Sequence, residues 1–205
     1  MAPNPIPPPS VDPTEPLQVL RRVIASLEAL GIRYMLAGSF ASSLHGLPRF
    51  TQDADLIVDL YPSRLDAFAQ VFASDFYVDR GLIWQALERR TSFNIIHLES
   101  SFKVDFFVLG GSNFSREEFS RRALRQIDPQ SGFEAYVQAP EDAVLSKLDW
   151  YRRGGEVSEN QWRDVLGMLR QQAGLDSAYL RKWAGELGVA DLLERACREA
   201  GVKEA

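Results

Sequence analysis

Apolar residues recur at Leu20, Val23, Ile24, Leu27 and Leu30 with the spacing of one helix face, and Gly31 predicts the stop. The run Tyr34-Met35-Leu36-Ala37 predicts a short strand, from which Gly38-Ser39 opens a brief helix ending near His45-Gly46. Leu56-Ile57-Val58 predicts a second strand, closed by Tyr61-Pro62. Leu65, Phe68, Ala69 and Phe72 return to helical spacing, and a further helix is expected from Leu82 to Arg89. Phe93–Leu98 and Phe102–Leu109 predict an antiparallel hairpin turning at Glu99-Ser100-Ser101. Ala135-Tyr136-Val137 predicts a last strand before Pro140, after which helices follow with breaks near Gly154-Gly155, Gly174 and Gly188. There is no internal repeat. The order predicts an α+β fold, with a mixed sheet flanked by helices over residues 17–139 and a helical region over 140–205. Residues 1–16 hold seven of the eleven prolines and predict an extended, disordered leader.

The candidate chemistry lies in acids that this pattern places on strands. Asp53-Ala54-Asp55 follows Gly38-Ser39 after thirteen residues, and side chains at i and i+2 of a strand share a face. Two carboxylates on one face repel unless a proton or cation lies between them, and hard cations such as Mg²⁺ favour carboxylate oxygen. Asp105 sits inside the apolar run Val104-Asp105-Phe106-Phe107-Val108, where a lone acid is costly unless paired or bound to metal. If its strand lies beside that of Asp53 and Asp55, the three acids could hold two metals suited to phosphoryl or nucleotidyl transfer. Gly38-Ser39 would then offer backbone amides and a helix N-terminus to triphosphate oxygens.

Composition narrows the function classes. The chain has 205 residues, of which 45% are hydrophobic and 25% charged, enough for a sizeable core. No stretch approaches the roughly 20 apolar residues of a membrane span, so no membrane partner is expected. Neither a basic n-region nor an apolar h-region opens the chain, and the single cysteine, Cys197, fits a reducing cytosol, so a cytoplasmic location is expected. The formal charge of −5 excludes a generally basic, nucleic-acid-binding surface. Phosphate must be met locally or through metal ions.

The Gly38-Ser39, Asp53-Ala54-Asp55 and Asp105 pattern resembles the nucleotidyltransferase superfamily of polymerase β-like folds. Ala37-Gly38-Ser39-Phe40-Ala41 and Arg49-Phe50-Thr51-Gln52-Asp53-Ala54-Asp55-Leu56 are most similar to bacterial AbiEii-type toxin nucleotidyltransferases, over roughly residues 17–173. The resemblance implies Mg²⁺ (or Mn²⁺) held by Asp53, Asp55 and Asp105, an NTP such as ATP as substrate, and Gly38 and Ser39 at its phosphates. It also implies a phosphate-neutralising Lys147 and an Asp164 that orients Lys147 or the acceptor. The chain departs from that family at Gln161, often an acid there, and at Ala54, usually isoleucine. The expected acceptor is a hydroxyl of tRNA, protein or a small molecule, and a toxin would have an antitoxin partner. The alternative is a non-catalytic protein-binding module, or an antitoxin-like partner that retains the fold.

Other polar residues are expected to serve the fold. His97 is expected as a satisfied core or edge residue, Asp59 as a strand cap, Asp149 at the surface, and Trp150 and Trp162 as packing residues. His45 lies beside Gly46, where a substrate-side role is open. Arg116, Arg121, Arg122 and Arg125 could hold an acceptor RNA or form a solvated helix face. Arg152 and Arg153 could extend a phosphate-binding edge.

Overall fold

The structure, a computed structural model, describes residues 15–46 and 53–202. The proline-rich leader up to residue 14 and Arg49-Phe50-Thr51-Gln52 lie outside the described residues. The first helix, α1 (Glu15–Ala29), begins two residues before the expected start at Leu17. Pro16 is tolerated there because first-turn amides have no intrahelical acceptor to lose.

Seven strands follow: β1 (Tyr34–Ala37), β2 (Asp53–Val58), β3 (Phe76–Tyr77), β4 (Ser92–His97), β5 (Lys103–Val108), β6 (Ala123–Asp128) and β7 (Phe133–Val137). They form one mixed sheet in the order β3-β4-β5-β2-β1-β7-β6. β1 is antiparallel to β2, whereas β2 runs parallel to β5 and β1 parallel to β7. The crossover from β2 to β5 carries α3 (Leu65–Phe72) and α4 (Arg80–Arg89). These two helices and α1 cover one sheet face, burying Leu20, Val23, Leu27, Phe68, Phe72 and Ile83 against Leu56, Val104 and Phe106. Phe93 and Phe106 stack at 5.1 Å, with Phe68 edge-on to both.

A second core belongs to α6 (Pro140–Arg153), α7 (Glu159–Gln171), α8 (Ser177–Leu187) and α9 (Ala190–Ala200). It gathers Leu145, Leu148, Met168, Leu180, Trp183 and Leu193, and takes in Phe114 from α5 (Asn113–Ser120). The α+β architecture with a helical C-terminal region is therefore as expected. No described helix is long and apolar enough to cross a membrane.

Three elements were invisible to hydrophobic pattern. β3 is two residues long. α5 buries only Phe114, Glu118 and Phe119, and depends on Ser112, whose hydroxyl accepts from the Ser115 amide over 3.0 Å. β6 is an edge strand whose Leu124, Arg125 and Gln126 are exposed, so no alternation marks it.

Candidate active site

The turn from β1 into α2 (Gly38–His45) is shaped by Gly38, whose φ of +56° lies in the left-handed region. A Cβ there would stand 1.9 Å from Asp55 Oδ2, so only glycine lets that carboxylate approach the turn. The Ser39 amide donates to the same oxygen over 3.4 Å. Along β2, Ala54, Leu56 and Val58 are buried in the sheet core, while Asp53, Asp55 and Ile57 are half-buried on the opposite face. β5 lies alongside with Asp105 opposite Asp55 and Lys103 opposite Asp53. Residues opposite one another on neighbouring strands share a face, so the sheet brings Asp53, Asp55 and Asp105 together beside Gly38-Ser39.

The face is electrostatically crowded. Burial, and then the Asp53 charge, push the Asp55 carboxyl above its ordinary value. Lys103 offsets part of this: Nζ lies 2.7 Å from Asp105 Oδ2, and that hydrogen bond raises the ammonium's pKa. Sequence reading passed over Lys103, although its i, i+2 spacing to Asp105 was the available signal. Among the described residues, no three carboxylate, imidazole or thiolate groups are gathered closely enough to cage a metal by themselves. The donor chemistry fits a hard divalent cation nonetheless. Three carboxylates share a face beside the Gly38-Ser39 turn, an all-oxygen donor set.

A cleft of about 570 Å³ opens from Gly38, Ser39 and Asp55 toward Lys147 and Trp150. Lys147 on α6 is 2.9 Å from Asp164 Oδ2 on α7, with the two side chains only 11% and 8% exposed. Ser42 on α2 donates to the same Asp164 oxygen over 3.4 Å, tying the three helices behind the cleft. Trp150, one turn beyond Lys147, is 52% exposed on the cleft wall and meets Phe107 edge-on at 6.1 Å. Its expected packing role is thus only half met; the (i, i+3) spacing to Lys147 was legible as a shared helix face. Glu118 also lines the cleft. Its Oε2 accepts from Gln138 Nε2 at 2.8 Å and Ser146 Oγ at 3.1 Å, and burial pushes its pKa up to about 7. One of two adjacent acids, Glu117-Glu118, in an amphipathic stretch gave no sign of this.

Other candidates disperse. His45 is buried against the Gln138 carbonyl at 2.7 Å, and burial lowers its pKa. His97 bonds Ser100 at 2.8 Å and packs beside Phe76, as expected. Asp59 accepts from Arg33 Nε at 3.1 Å. Trp162 donates to Glu199 at 2.7 Å and packs on Tyr151. The arginines do not form one helix face: Arg116 is on α5, Arg121 and Arg122 follow it, and Arg125 is on β6. Arg121 is held by Glu141 at 2.8 Å and Asp142 at 3.0 Å, which takes it out of any RNA-binding cluster. Arg153 lines the cleft, paired with Asp149 at 2.8 Å, whereas Arg152 turns to Asp191 at 2.6 Å.

No protein-family model and no curated protein sequence matches the chain. Solved structures do. An antigenic nucleotidyltransferase-like protein from Paracoccidioides brasiliensis is 19% identical, with a TM-score of 0.54 over 92% of this chain and 94% of that one. The antibiotic-resistance factor ANT(2'')-Ia is 11% identical, with a TM-score of 0.52 over 93% of this chain and 98% of that one. These similarities, over nearly the full length of each chain, show that the chain has a nucleotidyltransferase-like fold.

Proposed function

We propose that this chain is a nucleotidyltransferase that moves a nucleoside monophosphate from an NTP to a hydroxyl acceptor, with Mg²⁺ or Mn²⁺ as cofactor. The observation that carries this reading is the parallel register of Asp55 with Asp105, on the face that also holds Asp53 and abuts Gly38-Ser39. The acceptor oxygen attacks the α-phosphorus, the bond to the bridging oxygen breaks, and pyrophosphate leaves. A divalent metal held by Asp53, Asp55 and Asp105 would supply Lewis acidity, lowering the acceptor hydroxyl's pKa and neutralising developing charge. The N-terminus of α2 at Gly38, with the Ser39 hydroxyl as a further donor, would meet the phosphate oxygens. Lys147 supplies a compact positive charge, and Asp164 positions its ammonium. Trp150 offers an exposed ring on which a base or an aromatic acceptor can stack.

The same reading assigns the chain from α1 to residue 139 to the transfer domain and 140–205 to a helical region that closes the cleft through Lys147, the expected leader being shortened by the two residues that α1 takes up. The acceptor is a hydroxyl of tRNA, protein or a small molecule. The antibiotic-resistance factor of the same fold supports the small-molecule class. The likeness of Ala37–Ala41 and Asp53–Leu56 to AbiEii-type proteins supports a cytoplasmic toxin with an antitoxin partner. In the test, labelled NTPs, Mg²⁺ and cell extract are incubated with wild type and with Asp53→Asn. Label should pass to an acceptor at a rate at least about 100-fold lower in the variant. Equal labelling by both proteins rejects the mechanism.

A further inference from the structure

The far end of the β2–β5 strand pair carries a second cavity of about 400 Å³. Asp59 in its wall lies four residues beyond Asp55, so this cavity starts about 13 Å along the strand from the carboxylate face. Val108 and Gly110 line both cavities, which therefore adjoin. Four arginines enter the wall, Arg33, Arg90, Arg116 and Arg122, against one acid, Asp59. Asp59 is engaged with Arg33. Among the described residues no carboxylate pairs with the other three: Arg116 is bonded to the Gly111 carbonyl and the Asn113 amide oxygen, and Arg122 to the Phe119 carbonyl.

Arg122 is the informative member. Its guanidinium lies over the Phe119 ring at 4.3 Å and near Tyr136 at 5.3 Å, which fixes its plane. Its Nε is fully buried and has no hydrogen-bond partner among the described residues. Such a donor is costly to leave unmet. Burial, and then repulsion from Arg33, disfavour the charged guanidinium. Arg90 is the left-handed C-cap of α4, at φ +50°, with its amide bonded to the Ala86 carbonyl. Four guanidinium groups on one cavity wall, facing a single carboxylate, are relieved by an anion.

We propose that Arg33, Arg90, Arg116 and Arg122 form a binding site for a phosphate monoester dianion, separate from the carboxylate cleft. The site balances three unpaired cations better with a dianion than with a carboxylate, and the guanidinium fork matches phosphate oxygens bidentately. The volume exceeds what inorganic phosphate needs and lies in the small-molecule range. Tyr61, Pro62 and Leu87 add apolar wall, so the phosphate is carried on an organic group, a nucleoside or the 5′ end of an RNA. This site does not depend on the transfer reading.

The test follows the Arg122 Nε–H resonance of the ¹⁵N-labelled full chain. Inorganic phosphate, AMP and a 5′-phosphorylated trinucleotide are each titrated, with acetate and the unphosphorylated trinucleotide as controls. The proposal expects a saturable shift with phosphate and with at least one phosphorylated ligand, and none with the controls. AMP alone identifies a nucleotide ligand, and the phosphorylated trinucleotide alone identifies an RNA end. Arg90→Gln and Arg116→Gln, both at exposed positions, should each weaken binding about tenfold or more. Asp55→Asn should leave the titration unchanged, so loss of transfer and loss of this site are read apart. A resonance unmoved by any phosphate, saturation by acetate, or unchanged affinity in both arginine variants overturns the proposal.

Discussion

Helix α6 takes part in two buried charge clusters, with opposite consequences. At its N-terminus Glu141 and Asp142 grip Arg121, whose guanidinium also lies 3.9 Å from the Tyr179 ring centroid. Tyr179 donates its hydroxyl to Asp142, and the Asp176 amide donates to Glu141. Two turns later Lys147 pairs with Asp164 at similar burial, yet Lys147 lines the cleft. In the first cluster the cation and both acids are spent on one another and on α8. In the second the acid holds a cation whose other side faces space for a ligand. Burial of charge alone does not mark a site; a charge that is fixed and still reachable does.

Substitutions should separate the two clusters. The largest effect belongs to Asp142→Ala, which leaves Arg121 with Glu141 alone and the Tyr179 hydroxyl without its acceptor, and should cost about 3–5 kcal/mol in chemical denaturation. Transfer per folded molecule should stay at the wild-type rate. A large loss of rate with little loss of stability would merge the clusters.

Next is Glu118→Gln, which should stabilise the fold by on the order of 3 kcal/mol at pH 8, where the wild type has to bury a charged carboxylate. Glu118 has its pKa raised from 4.5 to about 7, so the folded state binds this proton more tightly than the unfolded chain. Its contribution to stability is therefore greatest at acid pH and is lost as pH rises from about 4.5 through 7. The variant keeps an oxygen acceptor for Gln138 and Ser146 but lacks that titration. Denaturation at pH 5 and pH 8 should show the difference between wild type and variant opening as pH rises.

Lys147→Arg keeps the charge beside Asp164 but replaces a compact ammonium with a planar fork. It should slow transfer about 100-fold, equivalent to about 2.7 kcal/mol of barrier, with little change in denaturation midpoint. Arg121→Lys, the matched change in the first cluster, should leave the rate untouched. The smallest effect is Arg153→Gln, which breaks an exposed i, i+4 pair with Asp149 and should move stability by about 0.5 kcal/mol or less.

Much of the fold was legible because its elements carry their own periodicity. The face of α1, the alternation along β2 and the glycine-marked ends of the C-terminal helices are local consequences of which residues must leave water. The Gly38-Ser39 turn and the Asp53, Asp55 pair were legible for the same reason, since i and i+2 on a strand cannot diverge. α5 and β6 were not, because a short capped helix and a polar edge strand bury too little to imprint a pattern.

What the chain order could not supply was distance between elements. Asp105 meets Asp55 because a crossover returns β5 parallel to β2 in register, a choice made by packing α3 and α4 over the shared core. Arg121 reads like its basic neighbours until the fold sets it against Glu141 and Asp142. Arg122 likewise acquires its meaning from Arg33 and Tyr136, far away in sequence. Local periodicity is written in the free energy of single elements, whereas charge pairing and cavity walls depend on how those elements pack, and that only the tertiary structure decides.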